Sequence, residues 1–169
     1  MVNYDRKKRF DAFVREHRVM AIRLAWRLLG RHHAVAEDIA HRAFVKAWDK
    51  LDGFRDEAKI KTWFHRILVN EVRSYLRWVS VREKARWFFT RDTPTTPNLG
   101  DPGLNKRIMS AVATLSDVQR EVFTLIYLEG LSIREVASVT GRAEGTIKTH
   151  SFRALQKLRA ELQDLQAAH

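Results

Sequence analysis

The stretch "LSIREVASVTGRAEGTIKTHSFRALQKLR", residues 131–159, holds two short apolar runs parted by Thr140-Gly141-Arg142. Leu131, Ile133, Val136, Ala137 and Val139 have the spacing that lets a short helix bury one side. Gly141 supplies a sharp turn, and Ile147, Ser151, Leu155, Leu158 and Leu162 form the buried stripe of a second helix. Lys148, Thr149, Phe152 and Arg153 fall at i, i+1, i+4 and i+5, to one side of that stripe. A helix whose core side is already filled has no packing reason to carry a phenylalanine there. The pattern is a helix-turn-helix, and its outward face suits the major groove of duplex DNA. An arginine reads a guanine edge or holds a phosphate, a lysine holds a phosphate, and an aromatic ring meets a thymine methyl. Arg142, in the turn, joins these residues as a candidate contact.

The bulk composition agrees with such a partner. The 169-residue chain has 31 Lys and Arg against 20 Asp and Glu, a formal charge of +11, which favours a polyanion. Hydrophobic residues make up 45%, enough for a packed core. Cysteine is absent, which excludes disulfides and thiolate zinc sites and fits a reducing cytoplasm. The N-terminus, MVNYDRKKRF, lacks the apolar segment of a signal peptide, and no run approaches the length of a membrane span, so no membrane insertion is expected.

Punctuation divides the chain. Pro94, Pro97 and Pro102, with Gly100 and Gly103, all fall in TRDTPTTPNLGDPG, residues 90–103. Proline fixes φ and lacks an amide proton, so this segment reads as an extended linker. All five tryptophans precede it. Upstream, Phe10, Phe13, Val14, His17, Ala21, Leu24 and Leu28 make one helical stripe, which Gly30 is placed to end. Ile39, Ala40, Phe44, Ala47, Trp48 and Leu51 make a second, and Trp63, Phe64, Ile67, Leu68, Val72, Tyr75 and Leu76 a third. The expected fold is all-α, with two small helical domains, an N-terminal bundle (1–88) and a C-terminal helix-turn-helix unit (104–169), joined by a Pro-rich linker (89–103).

Between the second and third stripes lies "LDGFRDEAKIKTWFHRILVN", residues 51–70, a charged loop that runs into Thr62-Trp63. Arg66, Asn70 and Arg73 follow at i, i+4 and i+7. Basic groups for phosphates, an amide for a base edge and nearby aromatics for unstacked bases suit single-stranded nucleic acid. A solvated helix face is the plainer alternative for these three residues.

Two blocks resemble a known family. "AEDIAHRAFVKAWDKLDGFRDEAKIKTWFHRILVNEVRSYLR" is similar to the first conserved domain of bacterial sigma factors of the extracytoplasmic-function type, the minimal members of the sigma-70 family. "LSDVQREVFTLIYLEGLSIREVASVTGRAEGTIKTHSFRALQKLR" is similar to the second. The resemblance implies a chain that directs core RNA polymerase to promoter DNA. The first domain would bind mainly the β′ clamp, through Glu37, Asp38, His41, Arg42 and Lys46. It would melt the -10 element through Phe54, Arg55, Asp56, Glu57, Ala58, Lys59, Ile60, Trp63, Arg66, Asn70 and Arg73, a loop and helix matching a pocket for a flipped base. The second domain would grip the -35 duplex through Arg142, Lys148, Thr149, Phe152 and Arg153. An anti-sigma factor is implied as a further partner, often membrane-anchored in this family.

The chain departs from the family at several positions. His41 and Arg42 stand where a glutamine and an acid are usual, which implies weaker clamp binding or a shift of that contact to Glu37 and Asp38. In the loop, Asp56-Glu57-Ala58-Lys59-Ile60 replaces a stretch usually richer in small residues and phenylalanine. His32 and His33 are adjacent without a third ligand nearby, so no metal is expected. No catalytic grouping or Gly-rich phosphate loop is present, and neither a cofactor nor enzymatic turnover is expected. Two other readings stay open: a helix-turn-helix regulator that works without polymerase, and a sigma-like decoy that only occupies an anti-sigma protein.

Overall fold

The computed structural model of the chain describes residues 2–51, 60–86 and 104–163. The loop residues Phe54, Arg55, Asp56, Glu57, Ala58 and Lys59, and the 89–103 linker, lie outside them. The described residues are helical, with no strand among them. Helix α1 spans Val2–Leu29 and is followed by a 3-10 turn, Gly30–Val35. Helices α2 (Ala36–Lys50) and α3 (Ile60–Arg86) complete the first half. The second half comprises α4 (Leu104–Ala113), α5 (Asp117–Phe123), α6 (Ile133–Thr140) and α7 (Glu144–Glu161). A widened π turn, Thr124–Leu128, extends α5.

The apolar stripes meet as their spacing requires. Phe13, Leu24, Leu28, Ile39, Phe44, Phe64 and Leu68 are buried together. Phe44 stacks on Phe64 at 4.6 Å between centroids, while Phe13 meets Phe64 edge-on at 5.3 Å. These tilted and offset aromatic contacts satisfy the ring quadrupoles while filling volume. This core does not stop at the end of the bundle. Val122, Leu125, Leu131, Val136, Val139 and Ile147 of the second half belong to the same cluster. A smaller cluster of Ala111, Val112, Leu115, Phe123, Ala154 and Leu158 fastens α4 and α5 to α7. Leu155 and Leu162, expected in the buried stripe of α7, are only half-buried, and the fully buried Ala154 takes the inner position between Ile147 and Leu158, where a small side chain lets the helices approach closely.

Helix ends are set by local chemistry. Gly30 adopts φ +57, the left-handed conformation that stops α1. Its carbonyl accepts a hydrogen bond from His33 Nδ1 at 2.8 Å. Ser116 and Gln119 close a reciprocal capping box on α5, and Ser132 and Glu135 do so on α6. Gly141, at φ +70, ends α6, its N–H donating to Ala137 O at 2.9 Å.

The two turn glycines differ in their surroundings. A Cβ on Gly30 would sit 2.8 Å from Arg120 Cζ, whereas one on Gly141 would meet nothing within 4 Å. Gly141→Ala should therefore show only the left-handed penalty of roughly 1–2 kcal/mol. Gly30→Ala should cost clearly more, because Arg120 could move aside only by giving up its hydrogen bonds to Leu28 O, Leu115 O and Asp117. Thermal melts of the two variants check the order.

The α6 cap also makes stability depend on pH. Hydrogen bonds from the Ser132 hydroxyl and backbone N–H hold the Glu135 carboxyl below the usual glutamate range. A lowered folded-state value means that this contribution is complete above the ordinary glutamate value and is lost as pH falls through the folded one. Ser132→Ala should cost about 1 kcal/mol at neutral pH. The variant's deficit should shrink in acid, which pH-dependent melts would detect.

Candidate nucleic-acid interface

Helix α7 is held in rotation from behind. Ile147, Ser151, Ala154 and Leu158 are buried along one side. The Ser151 hydroxyl shares a 3.0 Å hydrogen bond with the Tyr127 hydroxyl. This leaves Lys148, Thr149, Phe152 and Arg153 on the exposed side. Phe152 is 61% exposed, an unusual position for a large apolar ring with a filled core behind it. Thr149 Oγ1 donates to Gly145 O at 3.0 Å, one turn back. Four of the five residues read as duplex contacts thus share one open face. Arg142 is the exception. It turns toward the protein and donates through Nη1 to Glu121 Oε1 at 2.7 Å.

The residues of α3 divide similarly. Ile60 and Trp63 are half-buried and pack against the core. Asn70 is exposed. Arg66 and Arg73 turn to the second half instead. Arg66 Nε donates to Ser138 O at 3.1 Å, and Nη2 reaches Ser138 Oγ at 3.1 Å. Arg73 Nη1 donates to Thr140 O at 2.9 Å. Arg73 also grips Glu121 with both arms, Nε to Oε2 and Nη2 to Oε1, each at 2.7 Å. The spacing of 66, 70 and 73 therefore places one open amide beside two arginines engaged with the second half.

Two neighbouring features have no sequence signal as strong as those already named. Trp78 is 52% exposed, with Arg82 Cζ 5.1 Å from its ring centroid. Glu121 is buried, and its pairing with Arg73 across 48 positions is visible only once the halves are packed. A crevice of about 290 Å³ lies beside this pair, lined by Val72, Arg77, Ser80, Asp117 and Arg142 among others.

On α2, Glu37, Asp38, His41, Arg42 and Lys46 are all exposed. Glu37 and Asp38 lie in the first turn, where carboxylates oppose the positive end of the helix dipole. Lys46 pairs with the buried Glu71 of α3. Val45, 49% exposed, adds an apolar spot to this otherwise polar face. No group of three or more His, Cys, Asp or Glu suited to a metal occurs among the described residues. Nor is any helix among them long and apolar enough to cross a membrane.

Comparison with known proteins agrees with both halves. The family described as Sigma-70 region 2 matches residues 13–79, and that described as Sigma-70, region 4 matches residues 105–158. The ECF RNA polymerase sigma factor SigW of Bacillus subtilis (strain 168) is 29% identical, over 84% of this chain and 82% of its own. The ECF RNA polymerase sigma-E factor of Haemophilus influenzae is 27% identical, over 94% of this chain and 90% of its own. Among solved structures, the sigma factor RpoE of Bartonella quintana, in complex with the anti-sigma factor NepR, superposes with a TM-score of 0.80. It is 28% identical and covers 92% of this chain and 98% of its own. CnrH, in complex with the cytosolic domain of CnrY, is 27% identical with a TM-score of 0.66, covering 94% and 90%. With the two family regions falling in order on the two halves of one all-helical fold, the chain belongs to the sigma-70 family and is a sigma factor of the extracytoplasmic-function type.

Proposed function

We propose that this chain binds core RNA polymerase in the cytoplasm and directs it to promoters, gripping the -35 duplex with α7 and opening the -10 element with α3 and the loop before it. The observation that carries the duplex half is the open face of α7, where Phe152 stands beside Lys148, Thr149 and Arg153 with no packing role. An arginine beside an apolar ring matches a base edge that offers both acceptors and a methyl group. Strand opening draws on binding energy alone, with Asn70 and the 54–60 loop holding an extruded base. The exposed face of α2, from Glu37 to Lys46, docks on the polymerase, mainly on the β′ clamp. RpoE of Bartonella quintana is held by an anti-sigma factor. A regulator of that class is proposed for this chain as well.

A regulator acting without polymerase would give the α2 face and the loop no role, so binding to core is the first test. The full-length chain should co-purify with core enzyme and support transcription from a candidate promoter. Asp38→Ala should weaken that pull-down, since His41 and Arg42 leave Glu37 and Asp38 to carry the acidic part of the contact. Failure of the wild type to bind core would leave a free-standing regulator or a decoy as the better reading.

The duplex contacts separate by their response to sequence and salt. Arg153→Ala should cost roughly 1–3 kcal/mol of binding and relax preference at one -35 position. Lys148→Ala should weaken binding to all sequences and lower the salt slope by about one. Phe152→Ala should reduce promoter affinity while leaving the melting temperature nearly unchanged. Leu158→Ala, at a position only 6% exposed, should instead cost about 2–5 kcal/mol of stability. A Phe152→Ala variant with a large loss of stability and unaltered affinity would refute the outward role.

A further inference from the structure

We propose that Gln156 is a further base-reading residue for the -35 duplex, its side-chain amide taking an adenine edge while Lys148 and Arg159 hold phosphates at the two ends of the reading face. The inference deepens the duplex reading of α7 and rests on it.

The outer side of α7 is longer than the residues already assigned to it. Thr149, Phe152, Arg153 and Gln156 fall at i, i+3, i+4 and i+7, and all four are exposed. With about 3.6 residues per turn, those positions share one side of a helix. A single recognition helix lying in the major groove reaches successive bases through this same spacing. The opposite side is filled by Ile147, Ser151, Ala154 and Leu158, so the outer face has no core to serve. The next residue, Lys157, is drawn back to donate to Thr114 O. Gln156 is not drawn back, and its amide has no hydrogen-bond partner among the described residues.

Charge and chemistry favour a base over plain solvent. No Asp or Glu stands between Glu144 and Glu161, whereas Lys148, Arg153, Lys157 and Arg159 do. A helix face turned only to water gains from carboxylates and amines one turn apart. A face kept free of carboxylates over that whole span suits a polyanion instead. Gln156 is the only amide in α7. A planar amide makes two hydrogen bonds to N6 and N7 of adenine, a fit that neither an arginine nor an aromatic ring supplies. Arg159 is exposed in the last turn. From Lys148 to Arg159 the helix rises about 16 Å. Backbone contacts from its C-terminal end and its first turns would bracket the bases read between them.

Holoenzyme assembled from core polymerase and the full-length chain can select from duplexes randomised across the -35 element, with the bound fraction sequenced. Wild type should prefer adenine at one position, and Gln156→Ala should lower that preference about tenfold while leaving the other positions as they were. Gln156→Glu should move the same preference to cytosine, whose N4 donates to a carboxylate. Arg159→Ala should weaken binding to every duplex alike and lower the salt slope by about one. Both residues are exposed, so thermal melts of the variants should match wild type. Arg153→Ala in the same selection reports on the duplex reading itself. If it relaxes one position while Gln156→Ala relaxes none, the role of Gln156 is overturned and the duplex reading stands. If neither variant alters any position, both fall. An equal loss on all duplexes in Gln156→Ala would mark a phosphate contact and overturn the base-reading role. A salt slope unchanged by Arg159→Ala would overturn the helix placement that brings Gln156 to the bases.

Discussion

Arginines of one half closing the helix ends of the other are the constraint on which the arrangement depends. The carbonyls of a last helical turn have no partner within the helix and cannot be buried bare. Arg120, 5% exposed, donates to Leu28 O at the end of α1 at 3.0 Å and to Leu115 O at 2.9 Å. Arg66 and Arg73 do the same for α6. Apolar burial of Leu125, Leu131, Val136 and Val139 supplies attraction between the halves, but that attraction has no direction. The arginines supply it, since each fits one helix end in one register. Gly30 belongs to the same device, because only a residue without Cβ leaves room for Arg120 beneath it.

This division of labour sorts the surplus positive charge into two populations. Arginines at the interface have their donors occupied by carbonyls and by Glu121, Glu129 and Asp117. Those on the outer side of α7 stand beside an exposed ring. The π turn after α5 contributes to the first population, since it delivers Glu129 to Arg27 at 2.8 Å and to within 3.7 Å of His65 Nε2. His65 is fully buried, and its Nδ1 donates to Lys61 O at 2.7 Å. Net charge alone thus overstates the surface offered to a polyanion, and position decides which cations are available.

The fold class was legible because helical stripes depend on near neighbours. Phe13, Leu24, Phe44, Phe64 and Leu68 are buried as their periodicity requires, and Gly30 and Gly141 end helices where they stand. The outward placement of Phe152 was legible for the same reason, since Ile147, Ser151 and Leu158 already define the inner side of α7. The capping boxes carry a local signal too, in the spacings of Ser116 with Gln119 and Ser132 with Glu135. What sequence could not give was the meeting of the two halves. Arg73 and Glu121 look like ordinary surface charges when each helix is read alone. An arginine at a suitable spacing is equally apt for a phosphate, a carboxylate or a helix end, and only packing chooses among them.

The packed halves leave the faces of α2 and α7 open, while Arg73 of α3 and Arg142 of the turn are drawn onto Glu121. On the proposed reading, polymerase docking needs no rearrangement, whereas a duplex contact by Arg142 and a strand contact by Arg73 each require the arginine to leave Glu121. A sigma factor that exposed its strand-binding cations in the free state would engage any single-stranded nucleic acid, because phosphate contacts carry no sequence information. A phosphate contact by Arg73 or Arg142 therefore comes at the expense of its bonds to Glu121, and each such contact is weighed against an internal one.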